Sequence, residues 1–415
     1  MPDKPNRKRA RKRKSAIFIL IFIFIFAVFF TAKFCIQQKK DNKVTIFIED
    51  DPLISEIFSL IREDLEDSAG IRIKAETFDI DSMAAKYGLI FSNADLIFAR
   101  GSLVSELHGK KLVKPLSAIK IPEKKQIHWQ SSMLDIGSGL PVALPVFGYN
   151  YPIVLSQSTL LEEPSMFEEN AELDRQEEAQ GVYRSFYVVL RSDDHRLIAN
   201  MMMDFDGFRF YLDTNGKMAI KWTAQDLTRY FTHLAFIAQT QRRIPINCPY
   251  DCYWNEWMRG NSRYAVTTET DFKVKQNRDK RDPDSFRIFL FGKKEAQKLI
   301  DAAVISKSSY CDNSRDEIAN RTMAAFLNKK VQIKILEKRH KIPALDLSGS
   351  ATDYKEKSIE SAILKNGPAF FVPPLLSSES GEKLLKDVYQ ATRSVLEGKA
   401  MPSEAADRLF HSAIK

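Results

Sequence analysis

The chain has 415 residues, 62 of them basic and 54 acidic, for a formal net charge of +8. That length exceeds a single ordinary core and suits two lobes with a tail. Eleven of the basic residues and one of the acidic ones fall within residues 1–40, leaving 51 against 53, and so near-neutral a body lacks the field that draws phosphate backbones and argues against nucleic-acid binding.

The tail comes first. Residues 1–15 carry a basic cluster from Arg7 to Lys14, and an unbroken apolar run follows from Ala16 to Ala32. The run sits at the short end of what spans a bilayer and above a typical signal-peptide core. The cluster before it stays cytoplasmic by the positive-inside rule. The expectation is a single-pass anchor over residues 16–34 in the cell membrane, with the main domain extracytoplasmic. Cleavage is the alternative, but Ala32-Lys33-Phe34 lacks a small-x-small triplet. Lipidation of Cys35 would follow bulky Phe34 where a small residue is wanted.

The exported part opens with strand, helix, strand. Val44 to Ile48 is a short apolar, β-branched run, as a buried parallel strand should be. Pro52 begins a helix whose Leu53, Ile54, Ile57, Phe58, Ile61 and Leu65 repeat at three-to-four spacing. Gly70 suits the helix end, Ile71 to Thr77 resumes as a strand, and Ala94 to Ala99 is a third strand ending at Arg100-Gly101. This alternation predicts an α/β chain with a parallel sheet covered on both faces. Ligands of such sheets bind beyond the carboxyl ends of the strands. That rim carries Glu49 and Asp50 after the first strand and Arg100 after the third. Each has a plainer role open to it: Glu49 solvated, Asp50 starting the helix at Pro52, Arg100 paired with a local carboxylate.

Further along, Glu162 to Gln180 is acidic and reads as a solvated helix or loop. Met201 to Met203 reads as core, and Ala224 to Gln239 is an amphipathic helix. Lys273 to Arg281 is charge-rich and reads as a surface excursion. Phe286 to Phe291 is a strand. Asp316 to Leu327, Glu382 to Leu396 and Ser403 to Ile414 are helices. Cys248 and Cys252 have spacing to pair in an oxidising compartment; pairing of either with Cys311, or no pairing, is equally compatible. No histidine lies in that segment, so no metal site is expected there. His-Glu-x-x-His, Gly-x-Ser-x-Gly and Gly-x-x-x-x-Gly-Lys are all absent, and neither enzymatic activity nor a cofactor is expected.

Several segments, in order, resemble the extracellular solute-binding proteins of sugar-type ABC transporters, the maltose-binding-protein-like family. Ala94 to Ala99 followed by Gly109-Lys-Lys-Leu-Val-Lys-Pro-Leu116 is similar to the family's "A-D-L" and "G-x-L-x-P-L". Gly139-Leu-Pro-Val-Ala-Leu-Pro145 resembles "G-x-x-Y-A-L-P", and Glu163-Pro-Ser-Met-Phe-Glu-Glu169 resembles "P-x-T-W-D-E" with Phe167 for Trp. Trp257 to Val266, Ala303 to Lys307, Ile342 to Ala344 and Gly398 to Ala406 match later family stretches in spacing. The family's "Y-N-K" after the crossover is Leu155-Ser156-Gln157 here, and Glu49-Asp50 replaces its usual Trp.

The resemblance implies a two-lobe periplasmic-binding-protein fold with a hinge. Residues 43–145 would form the first lobe, 146–345 mainly the second, and 346–415 closing helices that return to the lobe interface. It implies a monomer that captures a small, sugar-like ligand for ABC permease subunits; a membrane-tethered sensor that feeds no transporter is the alternative. Sugars ask for carboxylates or amides at their hydroxyls and flat rings at their faces. The resemblance places Tyr149 in the crossover, Trp222 before the second-lobe helix and Glu269 at the facing rim, joining Glu49, Asp50 and Arg100 as candidate ligand contacts. Trp257 falls where the family keeps a buried Phe and is assigned to core.

Overall fold

The computed structural model describes residues 42–116, 140–156, 175–176, 178–182, 186–205, 208–212, 218–240, 251–280, 286–292, 298–347, 359–366, 370–371 and 379–414. The apolar segment 16–34 and its basic tail lie outside these residues, as do most of Glu162 to Gln180, Cys35, Cys248 and Trp129. Among the described residues no helix is long and apolar enough to cross a membrane.

Strand β1 (Lys43–Glu49) leads through Asp51 into helix α1 (Pro52–Ala69). The cap is Asp51, whose carboxylate accepts the Leu53 and Ile54 N–H groups at 2.9 and 3.1 Å, so Asp50 does not start the helix. Gly70 closes α1 at φ 61°, the left-handed conformation that a side chain would strain. There follow β2 (Arg72–Phe78), α2 (Met83–Lys86), β3 (Leu96–Arg100), α3 (Gly101–Gly109), β4 (Val113–Lys114) and β5 (Ala143–Tyr149). β1 pairs in parallel with β2 on one side and β3 on the other.

The chain then crosses, through Asn150 in a left-handed conformation, into β6 (Pro152–Ser156). Next come β7 (Phe186–Leu190), α4 (His195–Asp204), β8 (Phe210–Leu212), β9 (Met218–Ile220), α5 (Ala224–Thr240), α6 (Cys252–Met258), β10 (Ser262–Thr268), α7 (Glu269–Asp279) and β11 (Arg287–Leu290). These build a second sheet in the order β11-β6-β10-β7, while β8 and β9 form a separate hairpin. The charge-rich stretch from Lys273 lies largely on the surface, but as part of a helix rather than a loop. It continues α7, and Lys275 is buried there, its ammonium answered by Asp251 and Asp271.

Finally come β12 (Lys298–Leu299), β13 (Asp301–Ser308), α8 (Asp316–Phe326), α9 (Lys329–Arg339), β14 (Ile342–Pro343), α10 (Ile359–Asn366), β15 (Phe370–Phe371), α11 (Glu379–Leu396) and α12 (Pro402–Ile414). β13 returns to the first sheet and inserts antiparallel between β3 and β5, giving the order β14-β5-β13-β3-β1-β2, with β4 also on β13. The first sheet is therefore mixed, where strand–helix alternation predicts a parallel one. The reason is that its return strand arrives from the second sheet, not through a local helix crossover. Residues 301–343, which the resemblance assigns mainly to the second lobe, supply two strands of this first sheet.

One apolar core lies between α1, α8, α9 and the first sheet. A second gathers Met201, Met202, Met203 and Trp222 with α5, α11 and α12, so the closing helices join it. A third runs continuously from Phe47, Ile97 and Val304 through Tyr151 and Ile300 to Ile153, Leu155, Trp254 and Trp257, linking the two sheets. Trp257 is core.

Gln332 staples this arrangement. Fully buried on α9, it donates to the Val146 and Phe326 carbonyls at 3.0 and 2.8 Å and accepts from the Ala344 and Leu345 N–H groups at 2.5 and 3.3 Å. Gln332→Leu leaves those buried groups unpaired, which costs about 2–4 kcal/mol. The urea midpoint is expected to fall by the corresponding amount with an unchanged slope.

Candidate functional site

Parallel strands β1 and β3 end together, so their last residues meet at one rim. Glu49 is buried there, which a carboxylate tolerates only with partners. It accepts the Arg100 backbone N–H at 2.8 Å and the Arg100 Nε–H at 2.6 Å, and a second guanidinium nitrogen also pairs with it. Arg100 thus has its local carboxylate, and that partner raises its pKa further. The pairing fixes the guanidinium plane while leaving 43% of the side chain exposed, so part of a rigid donor fork faces solvent. Asp50 is exposed beside it, its own N–H donating to the Phe78 carbonyl at 2.8 Å.

Tyr149 reaches the same rim from β5. It is the register partner of Asp301, the first residue of β13, and two residues on Ala303 is the register partner of Arg100. Burial and the Asp301 charge push the Tyr149 hydroxyl well above its ordinary pKa, with Arg100 opposing, so it stays protonated and able to donate. Asp301 in turn accepts from Asn150 Nδ2 at 3.1 Å and pairs with Arg196 of α4. Arg196 sits on a helix of the second core, so this ion pair spans the place where the chain passes between sheets.

Glu269, directly after β10, is fully buried at the same passage. Its N–H donates to the Tyr151 carbonyl at 2.9 Å. Its carboxylate accepts from Lys341 at 2.9 and 3.0 Å and pairs with Lys273 at 2.8 Å. Lys341 immediately precedes β14, whose Ile342 is the register partner of Gly148. Tyr151, also buried, donates its hydroxyl to the His340 carbonyl at 2.8 Å.

Trp222 stands apart from the other five. Its ring lies 4.2 Å from Phe208, edge-on, with Phe205 and Tyr230 at 5.9 and 5.8 Å, inside the second core. The structure brings Glu49, Asp50, Arg100 and Tyr149 to one rim and Glu269 to the passage beside it, where its charge is already answered. Sequence reading placed Asn150 in the crossover with Tyr149 but missed Asp301, Arg196 and Lys341. Asp301 had a signal, since it opens the strand-like run from Ala302 to Ser306; Arg196 and Lys341 had none, because their partners are remote in sequence. Cys252 is disulfide-bonded, and Cys311 is free and buried, which removes a bridge to Cys311. Among the described residues no three His, Cys, Asp or Glu side chains gather as a metal site.

Comparison with solved structures follows this geometry. A cyclo/maltodextrin-binding protein complexed with maltotetraose superposes with a TM-score of 0.66 at 13% identity, over 90% of this chain and 96% of the other. The fold is that of the two-lobe solute-binding proteins. An extracellular solute-binding protein from Staphylococcus aureus in complex with maltose gives 0.66 at 13% identity, over 90% and 97%. The sugar-binding protein MalE from Xanthomonas citri gives 0.67 at 10% identity, over 89% and 96%. No family model matches the chain, and no curated protein matches it.

Two groups at the passage make stability depend on acid in successive windows. Burial, with Lys273 and Lys341 beside it, pushes the His340 imidazole down to about 4 against the opposing Glu269 carboxylate and the Glu360 carboxylate paired with its Nδ1, so the unfolded chain binds that proton first and stability falls from pH 6.5 to about 4. Burial pushes the Glu269 carboxyl up, but Lys341 and Lys273 outweigh it and hold it below the ordinary 4.5. Its contribution is present above pH 4.5 and disappears as the pH falls through the depressed value. Denaturation midpoints across pH 3–7 are expected to show His340→Asn flattening the upper window and Glu269→Gln the lower one.

Proposed function

We propose that this chain is an extracytoplasmic solute-binding protein that captures a small ligand, a sugar or oligosaccharide, for an ABC-type importer. The observation that carries the reading is the likeness, over 90% of the chain, to solute-binding proteins solved with maltose and maltotetraose. The polar rim supports it locally. Arg100, held by Glu49, offers oriented donors to ligand hydroxyls, and Tyr149 offers both a hydroxyl and a ring face. The crossover at Asn150 and the return at Asp301 are the hinge points, and the Arg196–Asp301 pair tethers them. Capture needs no covalent step, and the reading assigns no enzymatic activity. It includes monomeric action, a single-pass anchor over residues 16–34 and permease subunits as partners.

The basic tail from Arg7 to Lys14 favours one second reading, a tethered sensor on the same fold. Ligand uptake by cells lacking the chain separates the two: uptake falls if it feeds an importer and is unchanged if it senses.

Titration calorimetry with maltose and maltotetraose tests the first reading. Saturable one-to-one binding is expected, with a melting midpoint that climbs with ligand concentration. Arg100→Lys keeps a cation beside Glu49 but loses the planar fork, and is expected to weaken binding by about 1.5 kcal/mol, roughly tenfold. Turnover of the saccharide, or no heat and no thermal shift across a panel of oligosaccharides, overturns the sugar assignment.

A further inference from the structure

The strand that returns from the second sheet to the first is gripped by one helix on both sides of its crossing point. Asn200 of α4 clasps Leu299 by both backbone groups, accepting its N–H at 2.7 Å and donating to its carbonyl at 3.0 Å. Leu299 accordingly packs in the second core with α4. Two residues on, Asp301 already belongs to the first sheet, as the register partner of Tyr149. The crossing therefore falls at Ile300. One helical turn before Asn200, on the same face of α4, Arg196 reaches across Ile300 and pairs with Asp301.

Ion pairs cross between the first-sheet body and the second at both passages, and their burial sets what each can do. Glu269 and Lys341 join the bodies with side chains 0% and 6% exposed, and Lys273 beside them donates to the Arg339 carbonyl at 3.0 Å. Parting them strands charges away from water, so that contact is fixed. The Arg196 and Asp301 side chains are 29% and 20% exposed, so water takes either partner when the other leaves, at far lower cost. Asp194, the carboxylate nearest Arg196 in the chain, is spent accepting the Arg196 and Leu197 N–H groups at 2.9 and 3.1 Å. Asp301 also accepts from Nδ2 of Asn150 at 3.1 Å, the residue that turns the first crossover with a φ of 54°. One carboxylate thus gathers both crossovers, and Arg196 ties it to the second body.

We infer that the Arg196–Asp301 pair is a releasable strap that sets the resting angle between the two bodies and slackens as ionic strength rises, while Glu269–Lys341 is the fixed pivot. The inference rests on the reading of the chain as two bodies that capture a ligand. Raising salt from about 0.01 M to about 1 M shortens the screening length from roughly 30 Å to roughly 3 Å, which loosens a pair that solvent reaches and spares a buried one. The fraction of molecules in the binding-competent arrangement scales the apparent affinity, so even an uncharged ligand binds with salt-dependent affinity.

The test attaches donor and acceptor dyes to the full chain through ketone-bearing residues in place of Glu63 on α1 and Arg408 on α12, both exposed, and reads single-molecule energy transfer without ligand. With Arg196 and Asp301 intact, the distance distribution is expected to broaden between about 0.01 M and about 1 M NaCl. Arg196→Gln is expected to be broad at both, with the population outside the original peak raised about fivefold at low salt. Asp301→Asn is expected to match it, and the double variant to add nothing, because each loses the same contact. Glu269→Gln is expected to lower the melting midpoint and leave the salt response in place. A distribution that ignores salt in the unsubstituted chain overturns the strap whatever the variants do. So does an Arg196→Gln chain that keeps the original salt response, or two single effects that sum. Failure of maltose and maltotetraose to bind, with the salt response present and lost in Arg196→Gln, overturns the sugar reading and leaves the strap standing.

Discussion

The antiparallel seating of β13 between β3 and β5 is the constraint on which the rest of the molecule depends. It makes the first sheet wait for a strand that lies beyond the whole of the second in the chain, so the first sheet is complete only once the chain has returned. The consequences are geometric. Asp301, at the head of β13, is forced beside Tyr149 and within two residues of the register partner of Arg100, which gathers the rim. The same return carries the chain past Arg196, whose pairing with Asp301 places an ionic contact at the passage between sheets. Long-range pairing of this kind is slow to form, and the continuous apolar cluster from Phe47 to Trp254 is what rewards it once made.

Charge at the rim and passage follows one logic. A buried carboxylate without a partner costs several kcal/mol, so buried Glu49 pairs with Arg100 and buried Glu269 with Lys341 and Lys273, while the half-buried Asp301 pairs with Arg196. Arg100 differs from the rest because its carboxylate orients it without covering it. Lys341 is nearly all buried, and its ammonium serves Glu269. The distinction separates a charge used up in pairing from one that keeps donors at the surface. Aromatic rings sort likewise: Trp222, Trp254 and Trp257 are committed to cores, while Tyr149 remains at the rim.

Local signals carried over into local structure. The β-branched run from Val44, the apolar spacing after Pro52 and the glycine at position 70 specify β1, α1 and its cap because each depends only on near neighbours. The family likeness, assembled from short stretches in order, reached the right overall architecture. What failed was whatever depended on remote partners. A strand–helix alternation says nothing of a strand arriving from elsewhere, so the mixed character of the first sheet was invisible. Trp222 looked like a stacking platform because its burial against Phe208 and Tyr230 is settled by tertiary packing. Most of the run from Lys273 to Lys280 is solvated as charge runs usually are, but the Asp251 and Asp271 carboxylates let Lys275 go under. Gln332, which ties four backbone groups across three segments, has no local signature at all.

The central claim is the proposal that a small guest binds at the carboxyl rim of the first sheet. A crystal structure of the chain grown with maltotetraose tests it most directly. The account predicts saccharide density at the rim, with a hydroxyl within hydrogen-bond distance of the Arg100 guanidinium and a ring against Tyr149. Saccharide bound away from both residues, or a rim filled by the protein's own side chains, would contradict it.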